Sequence, residues 1–426
     1  MTNTRMMACN SLYEVLEEDK FSHLVIRETL DKNKELTRQD KSFYSRLVKG
    51  TIERKITIDY IIGLFSKTKI TKMKPYIRTI LRMSVYQIYY MNQVPDHAVC
   101  NEAVKLTIKK GYKGLKGFVN GVLRNVARNK ETIKFPEDKN KYLQIAYSLP
   151  EWLANRFITQ YGFETAKKIA NAQLKEERVS VWCPDGGLEG EPLPYGLEGV
   201  YLTEYDATKL KNYLVQDVSS MIAGEVTAPK PGNFIVDVCA APGGKALHAA
   251  LAMKESGFVL ACDLTPLKVG LIDENKKRLE VNNLKTKVAD ARVLSEDLIE
   301  KADIVIADLP CSGLGIIGRK PEIKYRMDDE QIKELSRLQR EILEVVWKYV
   351  KPGGRLIYST CTLSREENEE NYSWFIKNHP FESENLDKYL PKELHTENTK
   401  NGWLCLLPGI HKSNGFFVSS MVRNAE

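Results

Sequence analysis

The chain has 426 residues, 43% hydrophobic and 28% charged, which is enough apolar content to bury cores for two or three domains and excludes a wholly disordered chain. No apolar run approaches the roughly 20 residues that cross a bilayer, and the first ten residues lack the apolar centre of a signal peptide, so the expected location is cytoplasmic. Residues 1–142 hold 28 Lys and Arg against 15 Asp and Glu while residues 143–426 hold 35 against 41, an excess at one end that predicts a segment meeting a polyanion, nucleic acid first.

In chain order, residues 11–129 have a helical pattern almost throughout. Ile77, Leu81, Val85 and Ile88 form one apolar stripe at three- to four-residue spacing, and Val99, Ala103 and Leu106 form another. Pro75 and the pair Pro95-Asp96 mark helix starts, and the glycines at 111 and 114 mark a turn. The reading is a bundle of six or seven helices. Lys67, Lys69, Lys72, Lys74, Arg78 and Arg82 crowd one turn and the helix after it; Lys105, Lys109, Lys110, Lys113, Lys116, Arg124 and Arg128 flank another. Such clusters suit phosphates, although a solvated surface is the ordinary role of any single lysine. Residues 130–142 read as a charged linker, Leu149-Pro150-Glu151 opens a helical pair reaching about residue 176, and 178–216 holds short strand-like pieces broken by Gly186, Gly187, Pro192, Pro194 and Gly196.

From residue 234 the pattern changes to five apolar runs (234–239, 258–263, 286–290, 303–308 and 354–360) alternating with helical stretches at 245–253, 267–281, 292–301 and 328–349. That alternation predicts a mostly parallel sheet with helices on both faces. The runs ending at Asp308 and Thr360 are one crossover apart and are expected to be neighbours; 403–407 and 416–421 read as a closing pair of strands.

In such a sheet, chemistry gathers at the carboxyl ends of the strands. The first run leads into Cys239, Ala240, Ala241, Pro242, Gly243, Gly244 and Lys245, a turn whose glycines let backbone approach a ligand, and Asp263 at the next strand end suits a ribose diol. Asp290 and Asp308 close the third and fourth runs. Neither the G-x-G-x-x-G fingerprint nor a phosphate loop is present, which excludes the usual nicotinamide oxidoreductase and favours a nucleoside ligand without phosphates. Cys311 follows Asp308 in a Pro-Cys turn, and Cys361 ends the fifth run. A lone cysteine at a strand end is ordinarily a small core residue. A structural disulfide is disfavoured because the eight cysteines show no paired framework, and zinc because no two lie within four residues of each other, so no metal is expected.

Longer stretches carry a resemblance. Arg78-Thr-Ile-Leu-Arg-Met-Ser-Val-Tyr-Gln-Ile-Tyr, Val94-Pro-Asp-His-Ala-Val and Gly117-Phe-Val-Asn-Gly-Val-Leu-Arg124 are similar to the NusB-type helical RNA-binding domain. Asp237 to Lys245, Asp308-Leu-Pro-Cys-Ser-Gly313, Tyr358-Ser-Thr-Cys361 with Glu366-Glu-Asn368, and Leu407-Pro-Gly with Gly415-Phe-Phe417 resemble the NOL1/NOP2/Sun family of RNA cytosine-5 methyltransferases. The resemblance implies a class I, Rossmann-like α/β methyltransferase domain over 229–426, an all-α NusB-like domain over 1–140, and between them, over 141–228, a shortened RNA-recognition-like α+β region. It implies S-adenosylmethionine as cofactor, lined by residues 239–245, Asp263, Asp290 and Asp308. Cys361 would be the nucleophile towards cytosine C6, with Cys311 assisting release and Asp308 steadying the adduct's charge. Arg319, Lys320, Lys324 and Arg326 would contact RNA phosphates. The expected partner is small-subunit ribosomal RNA, with no membrane and no obligatory protein partner. Another RNA such as tRNA, and a binding-only assembly factor, remain the alternatives.

Overall fold

A computed structural model describes residues 4–175, 178–202, 210, 213–254 and 256–425. Tertiary contacts divide the chain into two compact units, Met1–Lys175 with Ile317–Arg326, and Glu176–Ile316 with Met327–Glu426.

The first unit is helical: α1 (Thr4–Glu17), α2 (Ser22–Lys32), α3 (Arg38–Glu53), α4 (Lys55–Phe65), α5 (Pro75–Tyr90), α6 (Asp96–Lys109) and α7 (Lys116–Asn129), followed by α8 (Lys139–Ala146), α9 (Glu151–Tyr161) and α10 (Phe163–Ala172). Pro75 occupies the first turn of α5, where its missing N–H costs nothing, and Thr37 caps α3 by accepting from the Asp40 N–H at 3.1 Å. Both stripes read from the sequence are buried, α5 so thoroughly that every residue from Thr79 to Ile88 is inside. Each such Ile or Leu contributes about 1.5–3 kcal/mol by leaving water. Two expected phosphate contacts are corrected here. Arg82 is buried and grips Asp59 with two hydrogen bonds of 2.8 Å, and Arg78 is paired with Glu17. Their charges are spent inside the bundle, whereas Lys67, Lys69, Lys72 and Lys74 remain exposed. The expected linker also folds: α8 begins within it, its Asp138 cap accepting from the Lys141 N–H at 2.9 Å, and Thr57 on α4 donates to the Ile145 carbonyl at 2.6 Å.

Into this unit comes the short segment that contains α14 (Ile323–Arg326). Glu322 is buried and accepts from the Ser22 hydroxyl at 2.9 Å and the Ser22 N–H at 3.1 Å, while the Tyr325 hydroxyl donates to the Ile52 carbonyl at 2.9 Å.

The second unit opens with a small antiparallel sheet of β1 (Ser180–Trp182), β2 (Glu191–Pro192), β3 (Gly199–Tyr201) and β4 (Leu214–Val215), in the order β2-β3-β1-β4. The strand-like pieces expected across 178–216 fall partly on residues 203–209, 211 and 212, and the helix expected to reach about residue 176 ends on that residue; these positions lie outside the described residues. After α11 (Val218–Thr227) comes the main sheet: β5 (Phe234–Asp237), β6 (Phe258–Asp263), β7 (Leu284–Val288), β8 (Ala302–Asp308), β9 (Val350–Thr360), β10 (Phe381–Ser383), β11 (Trp403–Leu406) and β12 (Phe416–Arg423). The order is β10-β12-β9-β8-β5-β6-β7, with β11 also paired to β12. β5 to β9 are mutually parallel, and β12 runs antiparallel to β9. The chain builds outward from β5 through β6 to β7, then returns to place β8 on the other side of β5, which makes the gap between β5 and β8 the switch point of the sheet.

Alternation along β8 serves two cores: Ile304 and Ile306 face one, Val305 and Ala307 the other. α12 (Gly244–Ala252), α13 (Pro266–Arg278), α15 (Asp329–Val346), α16 (Glu369–Asn378) and the short α17 (Glu397–Lys400) complete the unit. The helix expected over 292–301 is corrected to one short 3-10 turn, Glu296–Leu298. There the Ser295 N–H donates to the Tyr349 hydroxyl at 2.9 Å and the Arg292 N–H to Asp290 at 2.9 Å, bonds that replace helical ones.

Candidate active site

β8 and β9 lie side by side with Asp308 opposite Ser359, so the turns that follow them start level. The Cys311 and Cys361 sulfurs are 3.2 Å apart, and the Cys361 N–H points at the Cys311 sulfur at 3.3 Å. Both side chains are partly exposed. The hydrogen bond with Cys361 and burial push the Cys311 thiol far above the usual thiol range, with the negative charges of Glu367 and Asp308 acting in the same direction. The two sulfurs are close enough for one thiol to donate to the other.

The two turns are locked from behind. The Ser312 hydroxyl is 2.6 Å from the Thr362 hydroxyl, and buried Glu367 accepts from the Ser312 N–H at 2.8 Å and the Gln339 amide at 3.1 Å. Gln339 also donates to the Pro310 carbonyl at 2.8 Å, and Asn368 to the Thr362 carbonyl at 3.1 Å. Gly315 lets the chain pass in front: its N–H donates to the Cys361 carbonyl at 3.0 Å, and a Cβ there would meet the Gly415 carbonyl oxygen at 2.1 Å.

At the other side of the switch point, Asp308 accepts from the Lys245 ammonium at 2.6 Å and the Ser359 hydroxyl at 2.8 Å. Burial alone would lower the Lys245 ammonium, but Asp308 and then Asp237 outweigh it and hold it above its ordinary value. Asp237, wholly buried, is pushed up to about 8 by burial and by the Asp308 charge, and so holds its proton at neutral pH. The Asp263 carboxylate ties the glycine turn to β6, accepting from the Ala241 N–H at 2.9 Å, the Leu264 N–H at 2.8 Å and the Lys268 ammonium at 3.1 Å. Gly243 has φ of +106° at the start of α12, a conformation glycine favours, and around Gly244 the space within 4 Å of a would-be Cβ is open. Cys239 borders the same turn, its thiol raised by burial and by the Asp237 charge.

Asp290 stands two positions beyond β7, bracketed by the Arg292 guanidinium at 2.8 and 3.1 Å; those hydrogen bonds hold its carboxyl below the usual range. Arg319, Lys320, Lys324 and Arg326 all belong to the helical unit. Arg319 and Lys320 are exposed. Lys324 is corrected from a phosphate contact to an internal strut: it is wholly buried, donates to the Glu53 carbonyl at 2.8 Å, and burial pulls its ammonium down to about 7. Arg326 is half-buried, donating to the Lys20 carbonyl at 2.6 Å and lying over the Phe21 ring.

Residues 225–422 match the family described as 16S rRNA methyltransferase RsmB/F, and residues 2–128 match the NusB family. A probable ribosomal RNA small subunit methyltransferase B from Bacillus subtilis is 35% identical, the alignment covering 99% of this chain and 98% of the relative. A protein of the same description from Synechocystis is 31% identical over 99% of both chains. The chain belongs to the RsmB/F family of 16S rRNA methyltransferases. Among solved structures, PH0851 superposes with a TM-score of 0.79 at 24% identity, covering 99% of both chains, and so shares the fold. A methyltransferase homolog protein from Pyrococcus horikoshii matches with a TM-score of 0.58 at 26% identity, over 68% of this chain and 99% of its own.

In this RsmB/F member, sequence reasoning found the two cysteines and Asp308 but assigned no role to Ser312, Gln339 or Glu367. The Glu366-Glu-Asn368 motif was the available signal for Glu367; nothing in the spacing marks Gln339, which reaches the turn from α15.

Proposed function

We propose that this protein transfers a methyl group from S-adenosylmethionine to C5 of a cytidine in small-subunit ribosomal RNA, through a covalent bond between Cys361 and cytosine C6. Family membership and the full-length relatives support the rRNA methyltransferase part. The observation that carries the chemistry is the pair of sulfurs 3.2 Å apart at two adjacent strand ends, with Asp308 beside them.

The cofactor, when bound, supplies an electrophilic methyl on a sulfonium. The residues fit such a group: Gly243 and Gly244 leave the turn without side chains, and Asp263, Asp290 and Asp308 give carboxylates for hydroxyls and positive charge. Leu264, Leu267 and Val293, all exposed apolar side chains, stand near those acids in sequence.

Cytosine C5 is a weak nucleophile until a thiolate adds at C6 and pushes electrons onto it, which is the role assigned to Cys361. Asp308 accepts from protonated N3 and so steadies the charge. After methylation the C5 proton leaves to a base as the bond from C6 to the Cys361 sulfur breaks, and Cys311, 3.2 Å from that sulfur, assists the release. Two thiols cannot reach the C5–C6 edge of a stacked base, so the nucleotide is single-stranded or flipped out.

The test is methylation of small-subunit rRNA transcripts in vitro, with nucleosides read by mass spectrometry and tRNA run in parallel. 5-Methylcytidine in the rRNA alone is the expected product. Methylation of tRNA alone, or at another atom, would overturn the reading.

A further inference from the structure

We propose that Glu367 is the positioning residue of the cysteine pair, fixing the Cys311 turn against Cys361 and reserving ionisation for Cys361. The inference rests on the assignment of Cys361 as nucleophile and extends it to what selects one thiol over its neighbour.

Glu367 is wholly buried behind the turns. One carboxylate oxygen takes the Ser312 N–H at 2.8 Å, the other takes the Ser312 hydroxyl at 2.5 Å, and Ser312 is the residue directly after Cys311. On the other side of Cys311, Pro310 is held by the Gln339 amide, which also donates to Glu367. The Ser312 hydroxyl is linked in turn to Thr362, the residue directly after Cys361. One carboxylate thus fastens both flanks of Cys311 and, through a single hydroxyl, the turn of its partner.

Position and charge act together. The Cys311 sulfur touches Cys361, and the ionisable groups that act on it electrostatically are Glu367, Asp308 with its Lys245 partner, and Tyr358. A second negative charge on Cys311 is opposed by Glu367, buried behind the turn, and by Asp308. Asp308 carries a compensating lysine; Glu367 is held by neutral donors. On this assignment Cys311 keeps its proton and Cys361, 3.2 Å away, is within reach of its S–H. This division of labour needs no difference between the two thiols themselves.

The test reads thiol reactivity in the full-length protein without RNA or cofactor. Cys311 and Cys361 are alkylated with iodoacetamide from about pH 6 to 10 and each is quantified by mass spectrometry. Wild type is expected to alkylate at Cys361 first. Glu367→Gln keeps the shape and a hydrogen-bond acceptor but removes the charge, so Cys311 should react at lower pH, by on the order of tenfold in rate near pH 8. In methyl transfer the same variant should lose kcat with KM little changed. A purely structural Glu367 predicts that Gln restores the wild-type alkylation profile; that result would overturn the proposal. If Glu367→Gln does not fold, Ser312→Ala removes the hydroxyl that joins Glu367 to Thr362 while the Ser312 N–H stays on the carboxylate, and wild-type selectivity in that variant overturns the positioning role. A protein inactive on rRNA with its thiol selectivity intact sinks the function reading and leaves this one standing.

Discussion

The turns after β8 and β9 and the turn after β5 all hold backbone at the carboxyl end of one sheet, by opposite means. Behind the cysteines, side chains are added: Ser312, Thr362, Gln339, Glu367 and Asn368 form a buried network in which neutral donors surround one carboxylate. Around the glycine turn, side chains are removed: Gly243 takes a positive φ, and a single carboxylate, Asp263, pins the backbone at Ala241. The difference fits the roles proposed for them. Reacting atoms require positions fixed to a fraction of an ångström, which a satisfied polar network supplies, while a ligand crevice requires backbone with nothing in front of it. The comparison predicts that the cysteine side tolerates almost no chemical change and that the glycine side responds to volume and protonation.

The largest effect belongs to the cysteines. Cys361→Ser should lower methyl transfer by on the order of 10³-fold or more with the fold unchanged by circular dichroism, since the nucleophile is lost and nothing else. Substantial activity in that variant would break the comparison at its centre. Gly315→Ala comes next: its Cβ would sit 2.8 Å from the Cys361 carbonyl oxygen and closer still to Gly415, so the loop must move. A loss of about 1–3 kcal/mol in denaturant unfolding is expected, with activity falling further than stability accounts for.

On the glycine side the test is pH. Asp237 is ordinarily an acid near 3.8 and is held near 8 in the fold, so between those values the folded chain keeps a proton that the unfolded chain has lost. That contribution to stability is complete below about pH 4 and disappears as pH rises through about 8. Asp237→Asn removes it, so the variant's melting temperature relative to wild type should climb from pH 5 to pH 8; a difference independent of pH would contradict the assignment. The smallest effects are expected from the helical unit. Lys320→Ala and Arg319→Ala should each weaken RNA binding and reduce its salt slope by about one, whereas Lys324→Met should leave the slope unchanged. A reduced slope for Lys324→Met would return that residue to the RNA surface.

The sheet and the meeting of the two cysteines were legible because both depend on short-range patterns. Alternation in 303–308 and 354–360 set which face each residue takes, and the acid and cysteine at each strand end then fell together once β8 paired with β9. What the sequence hid depends on partners far along the chain. Lys324 sits in a basic, proline-containing stretch that reads as surface, and only the Glu53 carbonyl, 271 positions earlier, makes its burial tolerable. Arg78 and Arg82 looked ready for phosphates because Glu17 and Asp59 are on other helices. The expected helix over 292–301 had suitable apolar spacing, but the Tyr349 hydroxyl took the Ser295 N–H and favoured a bend instead. Glu367 was visible as a letter in a motif and invisible as a clamp, because its role exists only when Ser312 and Gln339 arrive from two other elements.

The central claim is that Cys361 bonds to RNA and Cys311 is needed for its release. It is tested most directly by incubating Cys311→Ser with S-adenosylmethionine and small-subunit rRNA and running a denaturing gel, with the double variant carrying Cys361→Ser as control. A slow-migrating, nuclease-sensitive species in the single variant and none in the double is the predicted result. No such species from the single variant although cofactor binds, or an equal one from both, would contradict the account.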